Sequence, residues 1–476
     1  MPRAPDQKTL GELKAAVGKG YWLDSPDDVA PFLTDFRRLY RGATPLVLLP
    51  HTVEEVAQIL RICHREEVAV VPHGGNTSYC GGATPDEAGS QIVLSMRRLN
   101  RVREMDAANC SMIVEAGCTL AEAQEAARGA DRLFPLSLGS EGTAQIGGNL
   151  STNAGGTAVL RYGMMRDLVL GLEVVLADGR ILRGLKSLRK DNTGYDVKSL
   201  FVGAEGTLGV ITAACLKLFP LPADTATALV GIDSPQHALD LLALLRSAAG
   251  DQLTSFELMP RLGVELTVRH VPGVADPLDQ GALWYLLVEL SSPNPRQNLM
   301  DLLAAALEDA AAGGTIKDAT IATSIAQAQA MWKLRESVPE AQRRHGASLK
   351  HDVSVPVSAI PALIHEGSAL VRRLAPEGDV ISYGHAGDGN LHFNVSQKPG
   401  ADIESFIARG PVLELAMFDL VESLGGSISA EHGIGRLKAA EFARRADPVE
   451  LAVMHDLKQA LDPKGILNPG KVLCVR

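Results

Sequence analysis

Short apolar runs alternate with amphipathic segments in the first half of the chain. The run PLVLLP is followed by TVEEVAQILRICHREE and then by VAVVPHGGNTSYCGG, a strand that ends in a glycine-rich loop. Thr52, with Glu55 three residues later, predicts a capping box at the start of the helix between them. The order of strand, helix and strand favours an α/β arrangement here, and residues 1–40 are predicted as a helical lead-in.

More strands are predicted at IVLSM (92–96), SMIVEAG (111–117), LGLEVVLADGRILRG (170–184) and LGVITAACLKLFP (208–220). The pair around Asp178-Gly179 predicts a hairpin with a tight primed turn, because that dipeptide tolerates positive φ. The composition changes near Leu221. Two cycles of strand, helix and strand follow, which suits an antiparallel sheet with helices on one face.

The predicted fold class is therefore α+β. We expect a first domain at 1–220, a second at 221–440, and a C-terminal segment at 441–476 that returns to the first domain. In that segment Asp447 and Pro448 predict the start of a helix. A chain of 476 residues exceeds the size at which a single core stops growing, so more than one domain is expected.

Composition excludes several classes of protein. The net charge is −10 and dense Lys/Arg runs are absent, whereas nucleic-acid binding leaves a basic footprint. The six cysteines form no C-x-x-C pair, which excludes zinc fingers and iron–sulfur clusters. No apolar run reaches the roughly 20 residues that cross a bilayer, and the N-terminal residues lack an apolar signal core. A soluble, cytoplasmic protein is the expectation.

Three glycine-rich loops indicate a large polar ligand. The first is PHGGNTS (72–78), the second spans 136–156 with six glycines between 139 and 156, and the third is GAEGTLG (203–209). Glycines let the backbone approach a ligand and expose successive N–H groups to an anion. The spacing is neither that of a P-loop nor that of a Rossmann motif. A ligand with a diphosphate and a ring edge fits such loops.

The motifs VPHGGNTSYCGG, IGGNLSTNAGG, KDNTGYD and GAEGTLGVIT resemble the FAD-binding domain of the vanillyl-alcohol-oxidase (PCMH-type) flavoproteins. GHAGDGNLHFNV, SISAEHGIG and LDPKGILNPGK resemble its D-2-hydroxyacid dehydrogenase branch, nearest to bacterial D-2-hydroxyglutarate dehydrogenases. The resemblance implies a two-part FAD-binding domain, then a substrate (cap) domain. It also implies that FAD is held by Pro72, His73, Gly74, Gly75, Asn76, Thr77, Ser78, Leu136, Gly139, Ser140, Gly147, Gly148, Asn149, Thr152, Asn153, Gly155, Gly156, Glu205, Gly209, Ile211 and Asn468.

Non-covalent FAD is expected. Some members of this family attach FAD through a histidine directly after the loop glycines, and here Asn76 stands at that place. His73 lies before the glycines instead.

A divalent metal site is predicted at VISYGHAGDGNLHFNV. If His385 and His392 flank a hairpin turn, they are cross-strand neighbours on one face, and Asn394 shares the face of His392. Two close imidazoles suit one divalent ion, and Glu431 would add an oxygen ligand and leave an open position. Because redox chemistry would belong to the flavin, a non-redox ion such as Zn²⁺ is expected.

His432, beside Glu431, is a candidate general base, the role that the resemblance also implies. Arg335 and Lys350 are candidate clamps for substrate carboxylates, since arginine offers a bidentate fork and lysine a point charge. The resemblance implies that Arg335, Lys350 and Asn394 contact the substrate. Ser337 is predicted to cap a helix. Pro339 replaces a threonine that contacts substrate in some relatives.

The expected activity is FAD-dependent oxidation of a D-2-hydroxyacid, with D-2-hydroxyglutarate as first choice. D-lactate or glycolate oxidation is the alternative within the class, and a flavin-free metal-dependent hydrolase is the alternative outside it. Electrons must leave to a separate acceptor, for which the family suggests an electron-transfer flavoprotein or a quinone. The family also suggests a homodimer.

Overall fold

The structure is a computed structural model that describes residues 2–279 and 281–474. Its strands are β1 (Trp22–Leu23), β2 (Val47–Leu48), β3 (Val70–His73), β4 (Ile92–Ser95), β5 (Val102–Asp106), β6 (Ser111–Glu115), β7 (Arg132–Leu133), β8 (Val169–Val175), β9 (Ile181–Gly184), β10 (Val210–Lys217), β11 (Phe219–Pro220), β12 (Asp224–Ile232), β13 (Leu253–Pro260), β14 (Trp284–Ser292), β15 (Asp318–Ile321), β16 (Ser348–Leu349), β17 (Asp352–Ser354), β18 (Gly378–His385) and β19 (Asn390–Gln397).

The α-helices are α1 (Gln7–Val17), α2 (Pro26–Val29), α3 (Val53–Glu66), α4 (Leu120–Arg128), α5 (Ile146–Ser151), α6 (Val159–Tyr162), α7 (Met165–Leu168), α8 (Pro235–Ala249), α9 (Arg261–His270), α10 (Leu299–Ala312), α11 (Ile325–Glu336), α12 (Val338–His345), α13 (Ile360–Leu374), α14 (Ile403–Ala408), α15 (Gly410–Ser423), α16 (Ala439–Arg445) and α17 (Pro448–Leu461). Short 3₁₀ helices cover Ala30–Phe32, Val197–Leu200, Gly250–Gln252 and Val357–Ala359.

The chain forms two compact units. The first unit consists of Met1–Gly156, Gly163–Leu221 and Glu431–Arg476, and the second consists of Thr157–Tyr162 and Pro222–Ala430. The second unit therefore ends at 430 rather than at the expected residue 440. The short segment 157–162 also belongs to it, which no sequence pattern indicated. Arg161 in that segment donates to the carbonyl and hydroxyl oxygens of Ser291 on β14.

The first unit contains two main sheets. In the order β1-β2-β4-β3, strands β2, β4 and β3 are parallel, and α3 connects β2 to β3. The other sheet, β5-β6-β10-β8-β9, is antiparallel throughout. Among the strands of the described residues 2–279 and 281–474, parallel pairs occur in the small sheet whose strand β3 leads into the first glycine-rich loop.

The C-terminal residues belong to this unit through backbone bonds. Val70 on β3 pairs in parallel with Leu467, and the Asn468 N–H donates to the carbonyl oxygen of Val70. Asp447 caps α17 by accepting from the N–H groups of Val449 and Glu450, as the Asp-Pro pair predicted.

The second unit is built on one antiparallel sheet in the order β15-β12-β14-β13-β18-β19-β16, with β17 also paired to β19. Even-numbered residues of β14, such as Leu286 and Val288, pack with α8, α10, α13 and α15. Odd-numbered ones, Tyr285 and Leu287, pack with α9, α11 and α12. Helices therefore cover both faces, and the prediction of one covered face is wrong. The nearly continuous apolar run of β14 reflects burial on both sides.

Two local predictions need correction. Thr52 caps α3 by accepting from the Glu55 N–H, but the Glu55 carboxylate accepts from His51 N, so the reciprocal capping box does not form. In the β8–β9 hairpin only Gly179 has positive φ, at 81°. Leu176 and Arg180 close a three-residue loop there, in place of a two-residue primed turn.

Candidate active site and cofactor loops

The first two glycine-rich loops meet in the first unit. A Cβ on Gly75 would lie 1.9 Å from the carbonyl oxygen of Thr143, so only glycine allows this approach. Asn76, at φ 54°, donates from Nδ2 to the carbonyl oxygen of Thr34. The structure thus brings together 72–78 and 136–156, which the sequence predicted to share one ligand.

Several buried polar atoms in and beside these loops have no hydrogen-bond partner among residues 2–279 and 281–474. They are both ring nitrogens of His73, Oε1 of Gln145, Nδ2 of Asn149 and Oδ1 of Asn468. Burial lowers the pKa of His73 to about 4, so its imidazole is neutral. A buried polar group without a partner costs about 1–3 kcal/mol. These atoms therefore fit a bound polar cofactor, and His73, Asn149 and Asn468 were predicted to contact FAD.

Glu205 in the third loop hydrogen-bonds to two other segments of the first unit, and its predicted contact with FAD stays a prediction. Its carboxylate accepts from the N–H groups of Ile434 and Gly435 at 2.7 and 2.8 Å, and its backbone carbonyl accepts from Asn468 Nδ2. Burial raises the pKa of Glu205 to about 7, against the two backbone hydrogen bonds. The carboxylate therefore holds the loop at 433–435, which follows His432.

The other side of that loop lies against Tyr79 and Cys80. The Tyr79 ring stacks on His432 with centroids 4.4 Å apart and planes 11° from parallel. The Cys80 carbonyl oxygen accepts from Arg436 N at 2.8 Å and would lie 2.2 Å from a Cβ on Gly435. The loop that carries His432 is therefore held in the first unit by Tyr79 and Cys80, which follow the first glycine-rich loop, and by Glu205 of the third loop. Sequence reasoning quoted Tyr79 within a motif and gave it no role.

The two predicted metal-binding histidines lie in the second unit, on the predicted hairpin. β18 and β19 pair antiparallel, but the residue opposite His392 is Tyr383, so His385 is displaced two positions along its strand. The rings of His385 and His392 are nevertheless 5.7 Å apart, and one ring nitrogen of each lies within 4.8 Å of the other. This pair fits a shared divalent ion.

Each of these histidines faces a buried carboxylate. His385 Nδ1 lies 2.6 Å from Glu257 Oε1, and His392 Nδ1 lies 3.6 Å from Asp352 Oδ1. A carboxylate that is hydrogen-bonded to one ring nitrogen orients the ring so that the other nitrogen can bind a metal. The contact of His385 has the length of such a bond, whereas that of His392 is too long for one. Sequence reasoning missed both acids. For Glu257, the available signal was an acidic residue in the middle of the apolar run TSFELM.

Glu257 also contacts Arg335. The Nε and Nη2 atoms of Arg335, at the end of α11, each lie 2.7 Å from Glu257 Oε2, and the guanidinium lies 4.9 Å from the ring centre of Tyr383. Burial would raise the pKa of Glu257, but the interactions with His385 and Arg335 outweigh burial and hold the value at about 2. Arg335 is thus a buried charge that shares the carboxylate of Glu257 with His385.

The other predicted substrate residues lie on neighbouring elements. Lys350 stands between β16 and β17 and is half-buried. Asn394 on β19 is buried and donates from Nδ2 to Gln342 Oε1 at 2.9 Å. Ser337 occupies the predicted cap position of α12, but its side chain makes no capping hydrogen bond. Glu431, the third predicted ligand, belongs to the first unit, and its place in the metal site stays a prediction.

Comparison with known families identifies the class of protein. Residues 44–184 match the family described as "FAD binding domain", and residues 221–472 match "FAD linked oxidases, C-terminal domain". The chain belongs to the FAD-linked oxidases, and FAD is its cofactor. Two similar solved structures are an alkyldihydroxyacetonephosphate synthase (20% identity, TM-score 0.76, 98% of this chain and 86% of that one) and p-cresol methylhydroxylase (18%, 0.76, 99% and 98%). They confirm the PCMH-type fold.

Within that family, relatives named D-2-hydroxyglutarate dehydrogenase resemble the chain over nearly its whole length. The Bos taurus protein is 39% identical over 98% of this chain and 83% of its own, and the Arabidopsis thaliana protein is 36% identical over 98% and 82%. The one from Xanthomonas citri pv. viticola is 35% identical over 97% and 96%. This confirms the family resemblance found in the motifs.

The expected cytoplasmic location is wrong in the light of these names, since the Bos taurus and Arabidopsis thaliana relatives are called mitochondrial. The expectation rested on the lack of an apolar signal core, which carries no information about organelle targeting. Across residues 2–279 and 281–474, the helices are all too short or too polar to span a membrane.

Proposed function

We propose that this FAD-linked oxidase oxidises D-2-hydroxyglutarate to 2-oxoglutarate. The carrying observation is the buried Arg335, which shares the carboxylate of Glu257 with His385 and so offers a cation for a substrate carboxylate in the same cluster as a predicted metal ligand. The names of the relatives support the same substrate. The substrate loses a proton from its hydroxyl group and a hydride from C2. FAD, when bound, accepts that hydride and its two electrons.

His432 is the proposed base for the hydroxyl proton. Its ring is held flat against Tyr79, and its loop is held by Glu205, so its orientation is fixed before substrate binds. His385 and His392 are the proposed metal ligands, with Glu431 as the third and Zn²⁺ as the expected ion. A divalent cation in such a site supplies Lewis acidity toward the substrate oxygen.

FAD is proposed to be bound without a covalent link, because Asn76 has no nucleophilic ring nitrogen and its amide is hydrogen-bonded to Thr34. Acid precipitation should release all flavin into the supernatant. Flavin that sediments with the chain would contradict this. Chelation should remove activity and leave the flavin spectrum intact, and added Zn²⁺ should restore turnover.

Arg335 is proposed to bind the distal carboxylate of the substrate. Replacing it by alanine would leave Glu257 buried without its cation, a loss of about 3–5 kcal/mol that confuses activity with stability. Arg335→Lys is the better test, because it keeps a positive charge near Glu257 and removes the planar fork.

A bidentate arginine–carboxylate contact is worth about 1.5–3 kcal/mol, or about 10–150-fold. Arg335→Lys should therefore lower kcat/KM for D-2-hydroxyglutarate by about tenfold or more and change D-lactate turnover much less. Equal losses would place Arg335 at the carboxylate next to the reacting carbon. Arg344→Lys is the matched control, since Arg344 is exposed and pairs with Glu340.

The assay that tests the whole proposal is a panel of D-2-hydroxyacids with an artificial dye as acceptor. Highest kcat/KM with D-2-hydroxyglutarate is expected, and a preference for D-lactate or glycolate would overturn the proposed substrate. Electron-transfer flavoprotein and a quinone are the proposed acceptors. Pyruvate belongs in the same panel, because a Saccharomyces cerevisiae relative, 35% identical, is named D-2-hydroxyglutarate–pyruvate transhydrogenase. A homodimer is also proposed.

A further inference from the structure

The buried acid Glu257 lies between two groups to which the proposed function gives different tasks. Its residue is 0% exposed, on β13 near the middle of the second unit's sheet. Oε1 faces His385 Nδ1 at 2.6 Å, and Oε2 faces Nε and Nη2 of Arg335 at 2.7 Å each. Both oxygens are thus used, each by a different partner.

We propose that Glu257 is a positioning residue that prepares His385 for a metal ion and Arg335 for a substrate carboxylate at the same time. This inference rests on the proposed function.

The contact with His385 selects one ring nitrogen. A carboxylate that accepts from Nδ1–H keeps the proton there, so Nε2 is the nitrogen whose lone pair can bind a metal. The carboxylate also raises the ligand strength of the ring, and loss of such a partner typically weakens metal affinity by about 10–100-fold. β13 pairs Glu257 directly with His385 in the strand register, so the backbone itself sets this contact.

The contact with Arg335 selects one edge of the guanidinium. Arginine has five N–H donors, and Glu257 faces the edge formed by Nε and Nη2. The edge formed by Nη1 and Nη2 is the one left for a bidentate carboxylate. The ring of Tyr383 lies against the guanidinium and limits its rotation. The arginine is therefore fixed in the plane in which a second carboxylate must arrive.

The first experiment measures zinc affinity of the FAD-loaded protein by competition with a chromogenic chelator. Glu257→Gln should weaken zinc binding by about 10–100-fold while FAD content stays at one per chain. Glu289→Gln is the matched control, because Glu289 lies on the adjacent strand β14 and contacts Trp332 and Thr227 instead. Unchanged zinc affinity in Glu257→Gln would overturn the role toward His385.

The second experiment compares substrates at saturating zinc. With the guanidinium no longer fixed, Glu257→Gln should lower the ratio of kcat/KM for D-2-hydroxyglutarate to that for D-lactate by at least threefold, whereas Glu289→Gln keeps the wild-type ratio. An unchanged ratio would overturn the role toward Arg335. A purely structural role would lower both substrates alike and leave the ratio unmoved.

Glu257→Asp covers the case in which the glutamine variant fails to fold, since it keeps the charge. Its side chain is one methylene shorter and cannot reach both partners, so zinc affinity should stay reduced. Full wild-type affinity and selectivity in this variant would show that charge alone matters and would refute positioning. Wild-type protein that binds no zinc would instead refute the metal in the proposed function, and wild-type protein without selectivity would refute its substrate.

Discussion

Glu205 predicts a pH dependence of stability that one substitution can isolate. Its side chain is buried, 8% exposed, and burial raises its pKa from 4.5 to about 7 in the folded protein. Between those two values the native state keeps a proton that the unfolded state has released. The unfolding free energy should therefore fall as pH rises from 4.5 to 7 and become level above that.

The size of this effect follows from the shift. Each pKa unit corresponds to about 1.36 kcal/mol, so the full change is about 3 kcal/mol. Glu205→Gln does not titrate. It loses one of the acceptors for Ile434 and Gly435, which adds a destabilisation that is the same at every pH.

The assay is denaturant unfolding of the FAD-free protein at steps between pH 4.5 and 8, with the variant measured alongside. The quantity of interest is the wild-type unfolding free energy minus that of Glu205→Gln. It should decrease by about 3 kcal/mol across the series, with most of the decrease between pH 5 and 7.

Glu115→Gln gives an internal control of opposite sign. Burial would raise the pKa of Glu115, but Arg101 and Arg103 outweigh it and lower the value. Its contribution is present above the ordinary pKa and is lost as pH falls, so the corresponding difference should increase with pH. A Glu205 difference that is flat, or that increases with pH, would refute the inference that burial outweighs the two backbone hydrogen bonds.

Three more outcomes follow from the same unit. Tyr79→Ala should lower kcat by about tenfold with little change in KM, and it should shift the pH profile of kcat that is assigned to His432. Tyr79→Phe should keep the stacked ring and the wild-type profile. Equal profiles in all three proteins would exclude a positioning role for Tyr79. Gly435→Ala should lower kcat and the melting temperature together, because its Cβ would lie 2.2 Å from the Cys80 carbonyl oxygen; unaltered thermal unfolding would contradict this close contact. Burial lowers the pKa of Lys471 to about 8, so its charge should destabilise the FAD-free protein at pH 7. The unfolding free energy of Lys471→Met, measured with denaturant, should exceed that of the wild type by about 3 kcal/mol at pH 7, and this difference should shrink between pH 8 and 10.5. A difference that does not change with pH would argue against a buried charge.

Sequence patterns predicted the parts of the site that depend on local order. Glycine spacing located the cofactor loops, and the turn residues between two β runs located the hairpin that carries His385 and His392. These features are encoded within about twenty residues. The exact register was not, because the strand pairing places Tyr383, two residues before His385, opposite His392.

The parts that escaped prediction depend on partners far apart in the chain. Glu257 lies in an apolar strand, and alternation alone says which face it takes but not that His385 and Arg335 meet it there. Tyr79 and His432 belong to segments from opposite ends of the sequence, and no periodicity relates them. Burial on both faces of the second unit's sheet was hidden for the same reason, since successive helices from α8 to α11 alternate between the two faces.

The parallel pairing of Val70 with Leu467 has a consequence for the living cell. A ribosome makes β3 and the first glycine-rich loop before the second unit, whereas it makes the segment that pairs with β3 and carries Asn468 after that unit. Domains generally fold as units during synthesis. The first unit therefore stays incomplete until the whole of the second unit has been translated. Premature termination a few residues before 467 would leave the edge of β3 open and the Glu205 carbonyl without its amide partner. A truncation just before Leu467 should therefore impair flavin loading before it affects the folding of the second unit.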